Sequence, residues 1–395
     1  MAPSRLRTVA LLSLVVVLGV ACQRPGNHVV TPRPTASVEP SGGEGRGGGE
    51  EQDADRIDRV GVAVPTGPVR RDPAPGWRGA RLFGRANDWE PATAADPSAP
   101  YVYALTTRYS GNGPLPCPTC DLPAMAYRVS SNGGRTFGPV RYLQPNTPGG
   151  QFDPQLATDA SGDVFASWMD GKYRIMFSRS SDHGETWTPA KVVSHGAGWG
   201  DHPWLGVSPN GHHVYIAFNH VANWMAASHD GGAMWLPAAQ ISGDDRYSFD
   251  NGIAVTDDGN VAISSASYRM PYATVGRRDP IEIAVAASGD GGQTFASTVV
   301  DTVPQPKDCV SKGCPASHYG GHAVLAQTDG ALVLAYDGAR KDRGDQYLWV
   351  RRSTDFGATW SPRHRLSPAT PGLVAMNPRH GGDRRRGPDR VAGRS

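Results

Sequence analysis

Apolar and polar residues alternate with period two along most of this chain, in pairs of runs separated by short turns. The pairs read FDPQLATDASGDVFASWMDG from Phe152, DHPWLGVSPNGHHVYIAFNH from Asp201, FDNGIAVTDDGNVAISSASY from Phe249 and HYGGHAVLAQTDGALVLAYDG from His318. WEPATAADPSAPYVYALTTRY, from Trp89, has the same form. An alternating run, a turn rich in Asp, Asn and Gly, and a second alternating run predict a β-hairpin. A third run follows each hairpin, as in AMAYRVS, YRIMFSRS or EIAVAAS, and then a short fourth such as AKVVS. Four antiparallel strands per unit, repeated radially, predict an all-β propeller. No helical period competes within the repeated region.

Between the third and fourth runs stands a second repeated pattern. It reads SSNGGRTF at Ser130, SSDHGETW at Ser180, SHDGGAMW at Ser228, SGDGGQTF at Ser288 and STDFGATW at Ser353. Its acidic or amide positions, Asn132, Asp182, Asp230, Asp290 and Asp355, recur roughly every 50 to 65 residues, the period of blades or solenoid units. The Asp or Asn is expected to bind backbone N–H groups of a tight turn, with Gly supplying positive φ. The closing Trp or Phe is expected to plug the core between sheets. This pattern resembles the Asp-box, or bacterial neuraminidase, repeat of the sialidase superfamily, over about Asp88 to Ser367. The resemblance implies four-stranded antiparallel blades with the boxes on the face opposite the active site, so the five box Asp or Asn residues are expected to be turn scaffolding. Five blades are visible where the family has six, and a sixth is expected to be incomplete here.

Strand order then predicts which loops share the other face. The loops entering the first strand of each blade present Asp88 and Glu90, Asp153, Asp201 and His202, Asp250 and Asn251, and His318 with His322. The loops between second and third strands present Arg108 and Tyr109, Asp170 and Lys172, Asn219 and His220, Tyr268 and Arg269, and Asp337 with Arg340. Acids and cations thus converge on one mouth, a pocket of the kind that binds sugars or an ion. The resemblance implies an arginine triad for a substrate carboxylate, a tyrosine nucleophile activated by a glutamate, and an aspartate acid/base. On this chain those roles fall to Arg108, Arg269 and Arg340, and to Tyr268, Glu90 and Asp88. Asp153, Asp201 and Asp250 would receive sugar hydroxyls. The family's Arg-Ile-Pro motif is absent ahead of the first box, and its nearest match, YRMP from Tyr268, lies between the third and fourth. Non-catalytic binding of a glycan or protein, or an inactive truncated relative, is therefore kept as the alternative to an exo-sialidase. A calcium ion among Asp153, Asp201 and Asp250 would suit their oxygens. The spacing of His202, His318 and His322 with Asp201 matches no compact metal motif, and no metal site or other cofactor is expected.

The ends add a location. Arg5 and Arg7, an apolar run from Val9 to Val20, and Ala21 before Cys22 read as a signal segment over 1–22 resembling a bacterial lipobox. Lipidation of Cys22 would hold the protein at the outer face of a bacterial cell membrane. Residues 23–75 are rich in Pro, Gly, Ser, Glu and Arg and read as a flexible tether. The propeller is expected over 76–367 and an irregular tail over 368–395. From Arg379 onward that tail carries six Arg against two Asp, a net of +4 where the whole chain is +2. It lacks hydrophobic periodicity and breaks off where another blade would start, the pattern of a truncated or out-of-frame end. No other basic stripe points to nucleic acid, and the expected state is a monomer. Four cysteines besides Cys22 allow three connectivities. In an exported protein the local bridges Cys117–Cys120 and Cys309–Cys314 are expected, with zinc on the CxxC half-site as the alternative.

Overall fold

The computed structural model describes residues 27–30, 86–111, 116–243, 246–269, 280–304, 321–328, 330–341, 344 and 346–367. Among these residues there is no helix, and all regular structure is antiparallel sheet. The first blade contains β2 (Ala86–Ala95), β3 (Val102–Gly111), β4 (Ala124–Ser130) and β5 (Arg141–Tyr142). The second contains β6 (Gln151–Thr158), β7 (Val164–Asp170), β8 (Ile175–Ser180) and β9 (Lys191–Val192). The third contains β10 (Asp201–Val207), β11 (Val214–His220), β12 (Ala222–Ser228) and β13 (Ala239–Gln240). The fourth contains β14 (Arg246–Val255), β15 (Val261–Arg269), β16 (Ile281–Ser288) and β17 (Phe295–Val303). The fifth contains β18 (Ala323–Thr328), β19 (Ala331–Ala339), β20 (Gln346–Ser353) and β21 (His364–Arg365). This is a β-propeller built from the predicted hairpins.

One strand departs from the sequence reading. β1 (Asn27–Val30), inside the stretch read as a tether, pairs antiparallel with β17 and makes the fourth blade five-stranded. A nine-residue outer strand leaves a row of backbone donors and acceptors unpaired, which is a template for one more strand.

The second, third and fourth blades have a neighbour on each face, so their middle strands are buried on both sides instead of alternating. β7, β12 and β19 are buried at every residue. The innermost strands adjoin in the order β2, β6, β10, β14 and β18. Among the described residues no contact of that extent joins β18 to β2, so the five blades form an arc and not a closed five-bladed ring. The segments from which a sixth blade would come, 56–83 and 368–395, lie outside the described residues.

Each Asp box is a closed hydrogen-bonded turn. In the second, Ser180 Oγ donates to Asp182 Oδ1 at 2.8 Å, and Gly184 N donates to Ser180 Oγ at 2.8 Å. Thr186 donates its amide to Asp182 Oδ1 at 2.8 Å and its hydroxyl to Oδ2 at 2.6 Å. The amide bond recurs at Asn132, Asp230, Asp290 and Asp355, and the hydroxyl bond at Asp290 and Asp355; Met234 has no hydroxyl to give, and Asn132 Nδ2 donates to Thr136 Oγ1 at 2.7 Å. The box aromatic then docks on the preceding blade: Trp187 meets Tyr127 at 6.0 Å and Trp235 meets Phe177 at 4.9 Å, both edge-on. Gly232 makes the second contact possible. Its φ is +85°, and a Cβ there would lie 2.2 Å from the Phe177 ring.

The bonds from Thr186, hydroxyl first and amide second, hold the Asp182 carboxyl down to about 2. Asp290 also lies at about 2; burial opposes the shift, and the bonds from Thr294 outweigh it. A folded-state value below the unfolded value of about 3.9 stabilises fully above that pH. The contribution fades as pH falls toward 2. Asp182→Ala is expected to lower stability by about 1 kcal/mol for each net hydrogen bond removed. Its melting temperature should also fall less than that of the wild type between pH 5 and about 2. Thermal denaturation across that range measures both, and parallel pH curves for the two proteins would contradict the scaffold role.

Candidate functional site

The face opposite the boxes is built on a repeated irregularity of the innermost strands. Their pairing slips between Trp89 and Ala92, between Phe152 and Gln155, and between Asp201 and Trp204. At the slip, Glu90, Asp153 and His202 take φ of +52°, +52° and +51°. Each is followed by proline (Pro91, Pro154, Pro203). Left-handed backbone is uncommon for these residues, and a following proline disfavours helical φ/ψ as well. Such conformations cost about 1 to 3 kcal/mol each and persist only where the surroundings impose them. A bulge re-aims the side chain that carries it, and bulges concentrate beside functional sites. The fourth blade slips at Asp250/Gly252, and Gly321, just before β18, has φ of +83°.

Two of the bulge acids meet across blades. Glu90 Oε2 accepts from Thr107 Oγ1 at 2.7 Å and from the backbone N of Asp153 at 3.2 Å. Aromatic rings rim them. Trp89 packs edge-on against Tyr109 at 6.4 Å, and Tyr109 against Phe152 at 6.3 Å. Across the third and fourth blades, His202 meets Trp204 at 6.0 Å and Phe249 at 6.1 Å, and Phe249 meets Tyr247 at 4.9 Å. Carboxylates and an imidazole for hydroxyl groups, beside aromatic faces for C–H surfaces, make a carbohydrate-compatible mouth.

Other candidates occupy different roles. Arg108 is 3% exposed and held in a fork by Asp88, Nε to Oδ1 at 2.7 Å and Nη2 to Oδ2 at 2.9 Å. Its Nη1 donates to Tyr142 Oη at 3.1 Å. The Asp88 bond raises the Arg108 pKa further, against the opposing effect of burial. Asp88 takes the bidentate edge that a substrate carboxylate would need, so this pair serves the first blade's own packing. Tyr268, read as the nucleophile, is 8% exposed within the core shared by the fourth and fifth blades, with Phe249 against it at 6.4 Å. Asp201 is half-buried opposite Asn219. Arg340 is exposed just beyond β19. Asp170 is spent on Arg174 and the β7–β8 turn. His322 binds Asp337, amide to Oδ1 at 2.8 Å and Nδ1 to Oδ2 at 3.2 Å.

The side chains of Asp250, Asn251 and Arg269 lie outside the described residues, as do His318, Cys22, Cys309 and Cys314. Cys117 and Cys120 are joined, with sulfurs 2.09 Å apart, in the β3–β4 loop of this same face. Among the described residues no group of three or more His, Cys, Asp or Glu is placed to hold a metal ion.

Fold and mouth together define a bladed all-β protein with a polar, aromatic-rimmed site opposite its Asp boxes. No family model matches the chain, and no curated protein matches it. Among solved structures it is similar to the Hadza microbial sialidase Hz136, at 15% identity and a TM-score of 0.38, covering 60% of this chain and 54% of that one. The chain thus spans about half the length of that sialidase. It is also similar to the NanB sialidase of Streptococcus pneumoniae, at 11% identity and a TM-score of 0.46, covering 75% of this chain and 64% of that one. A third is a PL25 polysaccharide lyase, an ulvan lyase, at 13% identity and a TM-score of 0.49, covering 73% and 72%. The activity named for each is its own.

Proposed function

We propose that this chain recognises glycans at the mouth opposite its Asp boxes. The observation that carries the reading is the run of strained bulges on three consecutive blades, which present Glu90, Asp153 and His202 within an aromatic rim. Bulges of this kind re-aim the side chains that carry them and concentrate beside functional sites. Carboxylate and imidazole acceptors suit sugar hydroxyls, and Trp89, Tyr109 and Phe249 suit the apolar side of a sugar ring. Of the arginines read as a triad, Arg108 is committed to Asp88 and Arg340 is exposed, where it could meet an anionic sugar.

The second reading is hydrolysis of the exo-sialidase type. The burial of Tyr268 and the Asp88–Arg108 fork favour recognition over turnover. A fluorogenic sialoside separates the two. No turnover with retained glycan binding is the expected result, and turnover abolished by Tyr268→Phe would establish the enzyme.

The location belongs to the same proposal: an exported protein anchored through Cys22 at the outer face of a bacterial membrane, presenting the mouth to surface glycans or glycoconjugates. Fatty-acid labelling of the wild type and not of Cys22→Ala is expected. Equal labelling of both would remove the anchor from the account.

A further inference from the structure

Two imidazoles meet on the box face of the third blade. His213 Nδ1 and His229 Nδ1 lie 2.9 Å apart, His213 in the turn between β10 and β11 and His229 inside the third box. Their positions are ordinary for a blade, and their identities are not. His213 precedes the first residue of β11, as Asp163 precedes β7 and Asn260 precedes β15. His229 stands between the Ser and Asp of its box, where the second box has Ser181 and the fourth Gly289. A Cβ at Gly289 would lie 3.9 Å from Asn260 Oδ1, so the two positions are neighbours in the fourth blade as well. The third blade fills both with histidine. The pair is held from several sides. His213 N donates to Ser208 Oγ at 2.9 Å, and Gly231 N donates to His212 O at 2.8 Å, which ties the turn to the box. Gly259 of the fourth blade leaves room for the His213 ring: its φ is +81°, and a Cβ there would lie 2.8 Å from the ring Cε1. Tyr215 meets His229 edge-on at 5.9 Å and is itself fixed by its hydroxyl, which donates to Gly259 O at 2.7 Å. His213 is half-buried and His229 exposed, so the pair is positioned and still open to solvent.

Two Nδ1 atoms at this distance share at most one proton, since a hydrogen bond needs an N–H on one ring and a lone pair on the other. When each ring keeps its proton on Nε2, both Nδ1 lone pairs converge on one point, and a cation standing there satisfies them together. Zinc binds imidazole nitrogen at about 2.0 to 2.1 Å, so two nitrogens on one tetrahedral ion stand about 3.3 Å apart. The rings need to part by only about 0.4 Å to reach that separation. Burial first, and then the like charges of His229 and His212, lower the His213 pKa against Asp257 and Asp258, which favours the neutral ring that ligates. Imidazole suits zinc and copper(II), whereas magnesium and calcium take oxygen ligands.

We propose that His213 and His229 form a two-imidazole site for a first-row transition-metal ion, zinc or copper(II), with water completing the coordination. Bound there, the ion clamps the β10–β11 turn to the third box. The site lies on the face opposite the mouth and stands or falls independently of the glycan reading.

Titration of the full chain, carrying no affinity tag, with zinc and copper(II) chlorides tests the site, with magnesium chloride as the control. Zinc is expected to bind the wild type in a saturable way and to raise its melting temperature as its concentration rises, because it binds the folded protein alone. Magnesium should do neither. His229→Gln keeps a polar side chain at an exposed position and should fold as the wild type does, while its zinc affinity falls about tenfold or more, a loss of about 1.4 kcal/mol or more. His213→Asn, which restores the residue type of the fourth blade, should lose the affinity as well. The electron spin resonance of bound copper(II) should show coupling to two nitrogens in the wild type and to one in His229→Gln. A wild type that binds neither zinc nor copper(II) saturably would reduce the pair to a proton-sharing contact and overturn the site. Equal affinity in the wild type and both variants would place the ion elsewhere and overturn it equally.

Discussion

Asp88→Ala should destabilise the protein by about 3 to 5 kcal/mol, the cost of removing one partner from a buried ion pair. Arg108 cannot escape by losing its proton. With side-chain exposures of 4% for Arg108 and 11% for Asp88, little water is available to replace the lost carboxylate. Tyr142 would remain as the one described partner, through a single bond at 3.1 Å. Asp88→Asn should cost less, since the amide oxygen still accepts one bond. Urea denaturation of both variants measures the difference. A loss below about 1 kcal/mol for Asp88→Ala, the range of exposed pairs, would show that Arg108 turns to solvent and is free to serve a ligand.

Phe177→Ala is expected to cost about 3 to 5 kcal/mol. Phe177 is 2% exposed and fills the seam between the second and third blades. It meets Phe165 on its own sheet at 6.3 Å and the box residue Trp235 at 4.9 Å. The site cannot collapse easily, because Trp235 is itself held, its Nε1 donating to Gly232 O at 3.2 Å. Thermal and urea unfolding should both report the loss. A cost near 1 kcal/mol would mean that the box aromatics follow the blades and do not lock them together.

Much of this architecture was legible in the sequence because its signals are local. The hairpins show as period-two runs around Asp, Asn and Gly turns, and the boxes carry both halves of their hydrogen-bond network within seven residues. The bulges were harder. WEP, FDP and DHP stand at equivalent places in three hairpins, and that recurrence was the available signal. A residue before proline, however, ordinarily takes extended backbone, not left-handed. The Asp88–Arg108 fork depends on the same feature. The two are 20 residues apart and face each other only in the register that the bulges set, and a slip of one residue would turn either side chain to the opposite face. Strand order puts Tyr268 in the loop after the second strand of its blade, yet β15 extends through it and carries it into the core. The rim rings Tyr109 and Phe249 belong to the same alternation that fills the sheets, and nothing in their spacing separates rim from core.

In the proposed function, ligand recognition and the Asp boxes occupy opposite faces. Calorimetric titration of the full chain with whichever glycan a screen selects tests it directly, using Glu90→Gln and Asp182→Ala side by side. Glu90 accepts two bonds at the mouth, at 2.7 and 3.2 Å, and Asp182 sits within a box turn. Glu90→Gln should weaken binding about tenfold or more, the loss of a charge-assisted bond of roughly 1.5 to 3 kcal/mol, with the fold intact. Asp182→Ala should lower stability and leave the affinity of the folded protein unchanged. Binding that survives Glu90→Gln and disappears in folded Asp182→Ala would put the site on the box face instead.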